Sequence, residues 1–333
     1  MRSVAIAIAA LAAVIGLAAC GEKDEDLSGT TESTKIDLSL DFFVNPDHAG
    51  VYMALERGYF ERAGLDVQPQ VPSDPSAPIR QVASGRAELA ISYEPEVLLA
   101  EEQGLDVIAV AALVDQPLTS LISLPAAGIA KPADLRGKTV ATAGIPYQAD
   151  YLETILGEVD LQPDTVQQVN VGFNLLPAIL GGQADAILGG FRNVEGVDLI
   201  QRGENPSVVP VDQLGVPTYD ELVLVAERSA VSEMDEELRL FISALAKGTA
   251  DAVADPAAAT EAILAAGQGL DPKLTRAEIE ATLPLLAKSP KERFGELNAE
   301  EWKLFSSWMA DNGLIPEVPE TDEVLTNELL PPD

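Results

Sequence analysis

Apolar residues along this chain fall into two alternating periods. Strand-type runs occur at residues 36–43, 65–71, 89–92, 107–114, 118–124, 138–143, 166–171, 184–188, 208–211 and 221–226. Helical spacing fills the gaps: Tyr52, Leu55 and Tyr59 share one face, 78–84 and 175–180 form short helices, and Tyr151, Ile155 and Leu156 mark another. Pro95 stands where a helix tolerates proline, in its first turn. From Ser232 the pattern is helical only, with Leu238, Phe241, Ile242 and Leu245 at helical spacing and further helices at 257–266, 276–287 and 299–312. Strands alternating with helices predict parallel sheets built from βαβ units. They fall into two blocks, about 36–117 and 118–221, followed by a helical tail that must pack on one of them. A cleft between two such blocks is where ligands bind, at the carboxyl ends of the strands.

The N-terminus departs from this pattern. Met1-Arg2-Ser3 precedes an apolar run to Ala19 and then Cys20. The run is shorter than the roughly 20 residues a spanning helix needs, and its positive start and small-residue end describe a secretory signal. Leu17-Ala18-Ala19-Cys20 resembles the bacterial lipobox, which implies a signal peptide at 1–19, a lipid on the Cys20 thiol and attachment to the membrane. An ordinary signal peptide with an incidental cysteine is the alternative. Residues 20–35 then form the lipidated end and a polar tether.

Composition narrows the function classes. An apolar share of 47% in 333 residues supports a sizeable core. The chain has 21 Lys and Arg against 54 Asp and Glu, a net charge of −33, which argues against nucleic acid as a partner. A single Cys and a single His exclude a disulfide framework and nearly exclude a Cys/His metal site; no cofactor is expected. The only histidine able to serve a nucleophile is His48, and no Walker-type loop is present, so catalysis finds little support.

Candidate binding residues sit just after strands. Asn45 and Asp47 either cap a helix that starts near Ala49 or face a ligand, and His48 follows a strand end. Tyr93 and Glu94 follow the strand at 89–92, while Tyr147 and Phe173 stand in later strand-to-helix loops. Gly189-Gly190 permits close backbone approach ahead of Phe191, Arg192, Asn193 and Glu195. A carboxylate at Glu195 can accept two hydrogen bonds from adjacent donors of a ligand as a bidentate pair. Its alternative is a surface glutamate. Arg192 either pairs with Glu195 or faces solvent.

The segment Leu40-Asp41-Phe42-Phe43-Val44-Asn45-Pro46-Asp47-His48-Ala49-Gly50 resembles the substrate-binding lipoproteins of ABC importers in the thiamine-pyrimidine-precursor family, relatives of the yeast hydroxymethylpyrimidine synthase. The likeness continues through Gly85-Arg86-Ala87-Glu88-Leu89-Ala90-Ile91-Ser92-Tyr93-Glu94, Gly190-Phe191-Arg192-Asn193-Val194-Glu195 and Tyr219-Asp220-Glu221-Leu222-Val223, and covers about 36–330. Phe42 replaces the family's usual Trp, which makes it a candidate for stacking on a flat ring. The cysteine-rich motif of the yeast-type enzymes is missing.

The resemblance implies an α/β chain with the type II periplasmic-binding-protein fold. Lobe 1 holds 36–117 plus 222–333, lobe 2 holds 118–221, and hinge strands lie near 118–124 and 222–226. It also implies an extracytoplasmic, non-enzymatic protein that closes on a small aromatic ligand and delivers it to ABC permease subunits. The expected ligand is formylaminopyrimidine or hydroxymethylpyrimidine. Riboflavin or a sulfonate is the alternative within the class, and a pyrimidine-synthase-like enzyme or an adhesin lies outside it. The ligand contacts expected on these grounds are Phe42, Asn45, His48, Tyr93, Glu94, Tyr147, Phe173, Phe191, Asn193 and Glu195.

Overall fold

Ten strands divide between two five-stranded sheets in this computed structural model, which describes residues 33–286 and 293–331. The signal peptide and Cys20 lie outside the described residues, as do most of the tether and the last residue of the helix expected at 276–287. The first sheet contains β1 (Thr34–Ser39), β2 (Leu65–Gln70), β3 (Leu89–Ser92), β4 (Val107–Val114) and β10 (Leu222–Glu227), in the order β2-β1-β3-β10-β4. The second contains β5 (Thr119–Ser123), β6 (Thr139–Thr142), β7 (Gln167–Asn170), β8 (Ala186–Phe191) and β9 (Ser207–Pro210), in the order β7-β6-β8-β5-β9. Each sheet organises one α/β lobe. β1 starts at Thr34, just inside the segment expected to be tether.

The sheets are mixed rather than wholly parallel, and the exception follows one rule. β1 pairs parallel with β2 and β3, and β6 parallel with β7 and β8. The reversed strands are β5 and β10, the first strand the chain makes after each crossing between sheets. A chain leaving one sheet at the cleft enters the next from the cleft side, so its first strand runs against its neighbours. The register records this: Thr119 at the start of β5 faces Phe191 at the end of β8, and Leu222 at the start of β10 faces Val114 at the end of β4. The segments expected to be hinge strands therefore belong to the sheets, and the crossings are the links at 115–118 and 211–221.

The first strand also ends earlier than its apolar pattern suggests. β1 stops at Ser39, and residues 41–44 are irregular because the Asp41 carboxylate turns inward to buried partners that a continued strand could not reach. Asn45 then caps the following turn, its Oδ1 accepting the Asp47 amide at 2.8 Å, and helix Ala49–Glu56 begins directly. Gly58, with φ of +64°, separates that helix from Tyr59–Arg62. β4 is buried along its full length, as its uninterrupted apolar sequence requires. The long tail helix Asp235–Ala254 packs on Ala49–Glu56, and helix Pro272–Leu286 lies against Glu195–Gln201 of the second lobe.

Candidate functional site

A cavity of ≈ 410 Å³, counted with its open mouth, lies where the carboxyl ends of the strands of both sheets meet. Asp41, Phe42 and Asn45 enter it from the loop after β1, and Tyr93 from the end of β3. From the second lobe come Tyr147 and Gln148 after β6, and Phe191 and Glu195 at and after the end of β8. Thr119 joins from the start of β5, the reversed strand.

Asp41 is the most elaborately held of these groups. The Asn45 amide N–H donates to His48 Nδ1 at 3.3 Å, which leaves Nε2 to donate to Asp41 Oδ1 at 2.8 Å. The Tyr93 hydroxyl donates to Asp41 Oδ2 at 2.9 Å. His48 and Asp41 are both fully buried. The histidine thus orients a carboxylate and does not itself line the cavity. Burial, with Asp41 nearby, pushes the Tyr93 hydroxyl well above its usual range, so it remains a donor.

Glu195 stands opposite, at the start of helix Glu195–Gln201, with Oε2 accepting the Phe191 amide at 2.7 Å. Burial raises its pKa to about 7, against the lowering effect of the amide bonds. Gly189 makes the wall between them possible. Its φ is +108°, and a Cβ there would come within 2.3 Å of the Gln148 side chain, which accepts the Ala143 amide at 2.9 Å.

Aromatic rings complete the enclosure. Tyr93 and Tyr147, one from each lobe, meet edge to face with centroids 6.0 Å apart. Phe173 of the second lobe meets Phe42, which lines the cavity, at 4.7 Å and Phe43 at 4.5 Å. Among the described residues lining the cavity there is no Lys, Arg or His, so its polar character is that of an acceptor for donor groups.

The residues expected to contact ligand therefore separate into two groups. Phe42, Asn45, Tyr93, Tyr147, Phe191 and Glu195 share the cavity. His48, Glu94, Phe173 and Asn193 lie outside its lining. Glu94 Oε2 accepts the Asp220 amide at 2.7 Å near the second crossing, and burial beside Asp220 pushes its pKa well up. Phe173 packs on Phe42 and Phe43. Asn193 donates to Asp47 at 2.7 Å and to Thr282 at 2.8 Å. Arg192 does not pair with Glu195; its Nη2 donates to Gln116 at 2.8 Å in the first crossing. Sequence reasoning passed over Asp41, Thr119, Gln148 and Glu221. Asp41 and Glu221 stood inside the segments that carried the family resemblance, which was the one signal available for them.

Comparison with known proteins bears on the family and the fold. Residues 45–259 match the family model described as NMT1/THI5 like. A Halalkalibacterium halodurans formylaminopyrimidine-binding protein is 36% identical over 306 residues, covering 91% of this chain and 92% of its own. A Haemophilus influenzae putative thiamine biosynthesis protein is 35% identical over 285 residues, with 85% and 88% covered. Among solved structures, the alkanesulfonate-binding protein SsuA from Xanthomonas axonopodis pv. citri, bound to MOPS, superposes with a TM-score of 0.71 at 15% identity, covering 89% of this chain and 99% of its own. A Candida albicans protein described as exhibiting the generic periplasmic binding protein fold gives 0.64 at 11% identity, covering 90% and 98%.

Proposed function

Because this chain belongs to the NMT1/THI5-like family, we propose that it is the extracytoplasmic solute-binding lipoprotein of an ABC importer, and that it captures a thiamine pyrimidine precursor, formylaminopyrimidine or hydroxymethylpyrimidine. The observation that carries the ligand class is the cavity lining: two carboxylates, Asp41 and Glu195, among aromatic rings and without a cation. An aminopyrimidine offers what this lining accepts, a flat face for Phe42, Tyr147 or Phe191 and an amine edge for the carboxylates. The name of the 36%-identical relative supports the same ligand. A sulfonate, the class bound by the structural neighbour SsuA, would bring negative charge against two acids.

Lobe 1 comprises residues 36–117 plus 222–333 and lobe 2 residues 118–221, turning about the links at 115–118 and 211–221. Ligand bridges the lobes, and the closed form is what the permease accepts. Nothing in this cycle requires catalysis by the protein. Cys20 carries the lipid; Cys20→Ser moves the protein out of the detergent fraction.

Calorimetric titration with formylaminopyrimidine, hydroxymethylpyrimidine, riboflavin and an alkanesulfonate tests the ligand. Glu195→Gln keeps the size but turns an amide donor toward the ligand's amine. It weakens pyrimidine binding by roughly 1.5–3 kcal/mol, or about tenfold to more than a hundredfold. Equal affinity of the two proteins removes Glu195 from the site, and tight binding of riboflavin alone overturns the pyrimidine assignment.

A further inference from the structure

Beside the ligand cavity, a second polar contact spans the two lobes. Asp47 lies in the turn Pro46–His48 of the first lobe, and Asn193 in the loop after β8 of the second. Asn193 Nδ2 donates to Asp47 Oδ1 at 2.7 Å, and also to Thr282 Oγ1 of helix Pro272–Leu286 at 2.8 Å. Asp47 is 5% exposed and Asn193 2%. Each retains one buried oxygen with no hydrogen-bond partner among the described residues: Asp47 Oδ2 and Asn193 Oδ1. Both are acceptors, so neither can satisfy the other while Asp47 is ionised. Two buried unpaired acceptors on a directly bonded pair of side chains are costly.

We propose that Asp47 is a neutral carboxylic acid in the closed protein, and that its hydroxyl donates to Asn193 Oδ1. With the bond already present this completes a two-bond acid–amide ring, which clips the lobes together. One proton on Oδ2 satisfies both unpaired oxygens at once. Asn193 then acts as a positioning residue for closure rather than as a ligand contact. The proposal rests on the two-lobe closure proposed above, but not on the identity of the ligand.

The surroundings favour the neutral form from every side. Asp41 lies on the same segment, Glu195 faces Asp47 from the second lobe, and Glu221 comes from the second crossing. Glu278, one turn before Thr282, lies near Asp47, Glu195 and Asp198. Asp198 is engaged by Arg202, and the neighbouring His48 ring is turned to Asp41. Behind Asp47 is a small hollow walled by Leu113, Leu245, Thr249 and Leu286. None of the ion pairs among the described residues includes Asp47. Burial first, and then Asp41, hold the Asp47 carboxyl well above its usual range. In an open, wet cleft the same carboxyl would ionise near its ordinary value. Closure therefore takes up a proton: the closed form is favoured at low pH, and that advantage is lost as pH rises through the closed-state pKa of Asp47.

The test is the radius of gyration of the ligand-free protein by small-angle scattering from pH 5 to 9. Asp47→Asn reproduces the protonated acid, since its amide accepts from Asn193 and donates back to it at every pH. Asn193→Leu removes both bonds. The wild type is expected to be compact at pH 5, near the about 20 Å of a folded chain of this size, and to expand as pH rises. Asp47→Asn should stay compact to a pH higher by about one unit or more, and Asn193→Leu should be expanded throughout. A wild type with the same radius at pH 5 and pH 9 overturns the clip. So does an Asp47→Asn protein that opens along the wild-type curve, because the response then belongs to Glu195 or Glu278. An Asn193→Leu protein that keeps the wild-type response also overturns it. No ligand enters this experiment, so failure of the pyrimidine assignment, read by calorimetry, leaves the clip standing.

Discussion

Glu221 and Thr119 are joined twice across the two crossings between the sheets. The Thr119 amide donates to Glu221 Oε2 at 2.7 Å, and its hydroxyl donates to Oε1 at 2.9 Å. The Leu118 amide and the Tyr219 hydroxyl add further bonds to Oε2, at 2.7 and 3.0 Å. One fully buried carboxyl group thus ties the chain leaving the first sheet to the chain returning to it. Thr119 also lines the cavity, so one residue belongs both to the tie between the crossings and to the cavity wall.

Replacing Glu221 with Gln leaves one oxygen to serve these donors and points an amide N–H₂ at the rest. Loss of these buried bonds should lower stability by about 1–3 kcal/mol. Urea unfolding followed by circular dichroism measures it, and a midpoint equal to wild type would mean that the crossings are held by other contacts.

Stability should fall as pH rises through neutrality. Burial raises Glu96, Glu195 and Glu221 to about 7 and Glu278 to about 8. These carboxyls are held protonated in the fold at pH values where the unfolded chain has already released the proton. Their stabilising contribution is full below the unfolded value and lost through pH 7 to 8. Each unit of upward shift corresponds to about 1.4 kcal/mol. The thermal midpoint is expected to drop between pH 6 and 9, and Glu278→Gln should reduce the drop. A midpoint that is flat or rises over this range would contradict the assignment.

Phe173→Ala should speed ligand release without unfolding the protein. Its ring packs on Phe42 of the cavity lining and on Phe43, holding the two lobes together there, and such aromatic pairs contribute about 0.5–1.5 kcal/mol each. Stopped-flow dissociation of formylaminopyrimidine should quicken by about fivefold to more than a hundredfold. An unchanged rate would show that the mouth opens by another route.

Tyr93→Phe retains the ring that meets Tyr147 but removes the donor on Asp41 Oδ2. Asp41 keeps its bond to His48, so the fold should be preserved while ligand affinity changes by the equivalent of about 0.5–1.5 kcal/mol. Calorimetry on wild type and variant reads this directly. No change in affinity would place Asp41 in a structural role only.

The strand and helix elements were legible from local pattern because burial imposes a period on the chain. β3, β4 and helix Leu175–Leu180 fall where their apolar runs predict them. The α/β class and the two-block order follow from the same signal, as does the placement of Tyr93, Tyr147 and Glu195 just beyond strands. Three features depended on tertiary structure. Strand direction at β5 and β10 is set by the edge from which the chain enters each sheet, and hydropathy carries no record of direction. The end of β1 at Ser39 is set by Asp41 finding His48 and the distant Tyr93, although residues 40–43 read as strand. The division of Asn193 from Glu195 was also invisible: two residues apart after one strand, they turn to different partners, Glu195 into the cavity and Asn193 to Asp47 and Thr282. Sequence alone determines which residues stand at strand ends, because burial there is local and periodic; which of them meet, and across which gap, is decided only when distant segments pack and each buried polar atom must find a partner.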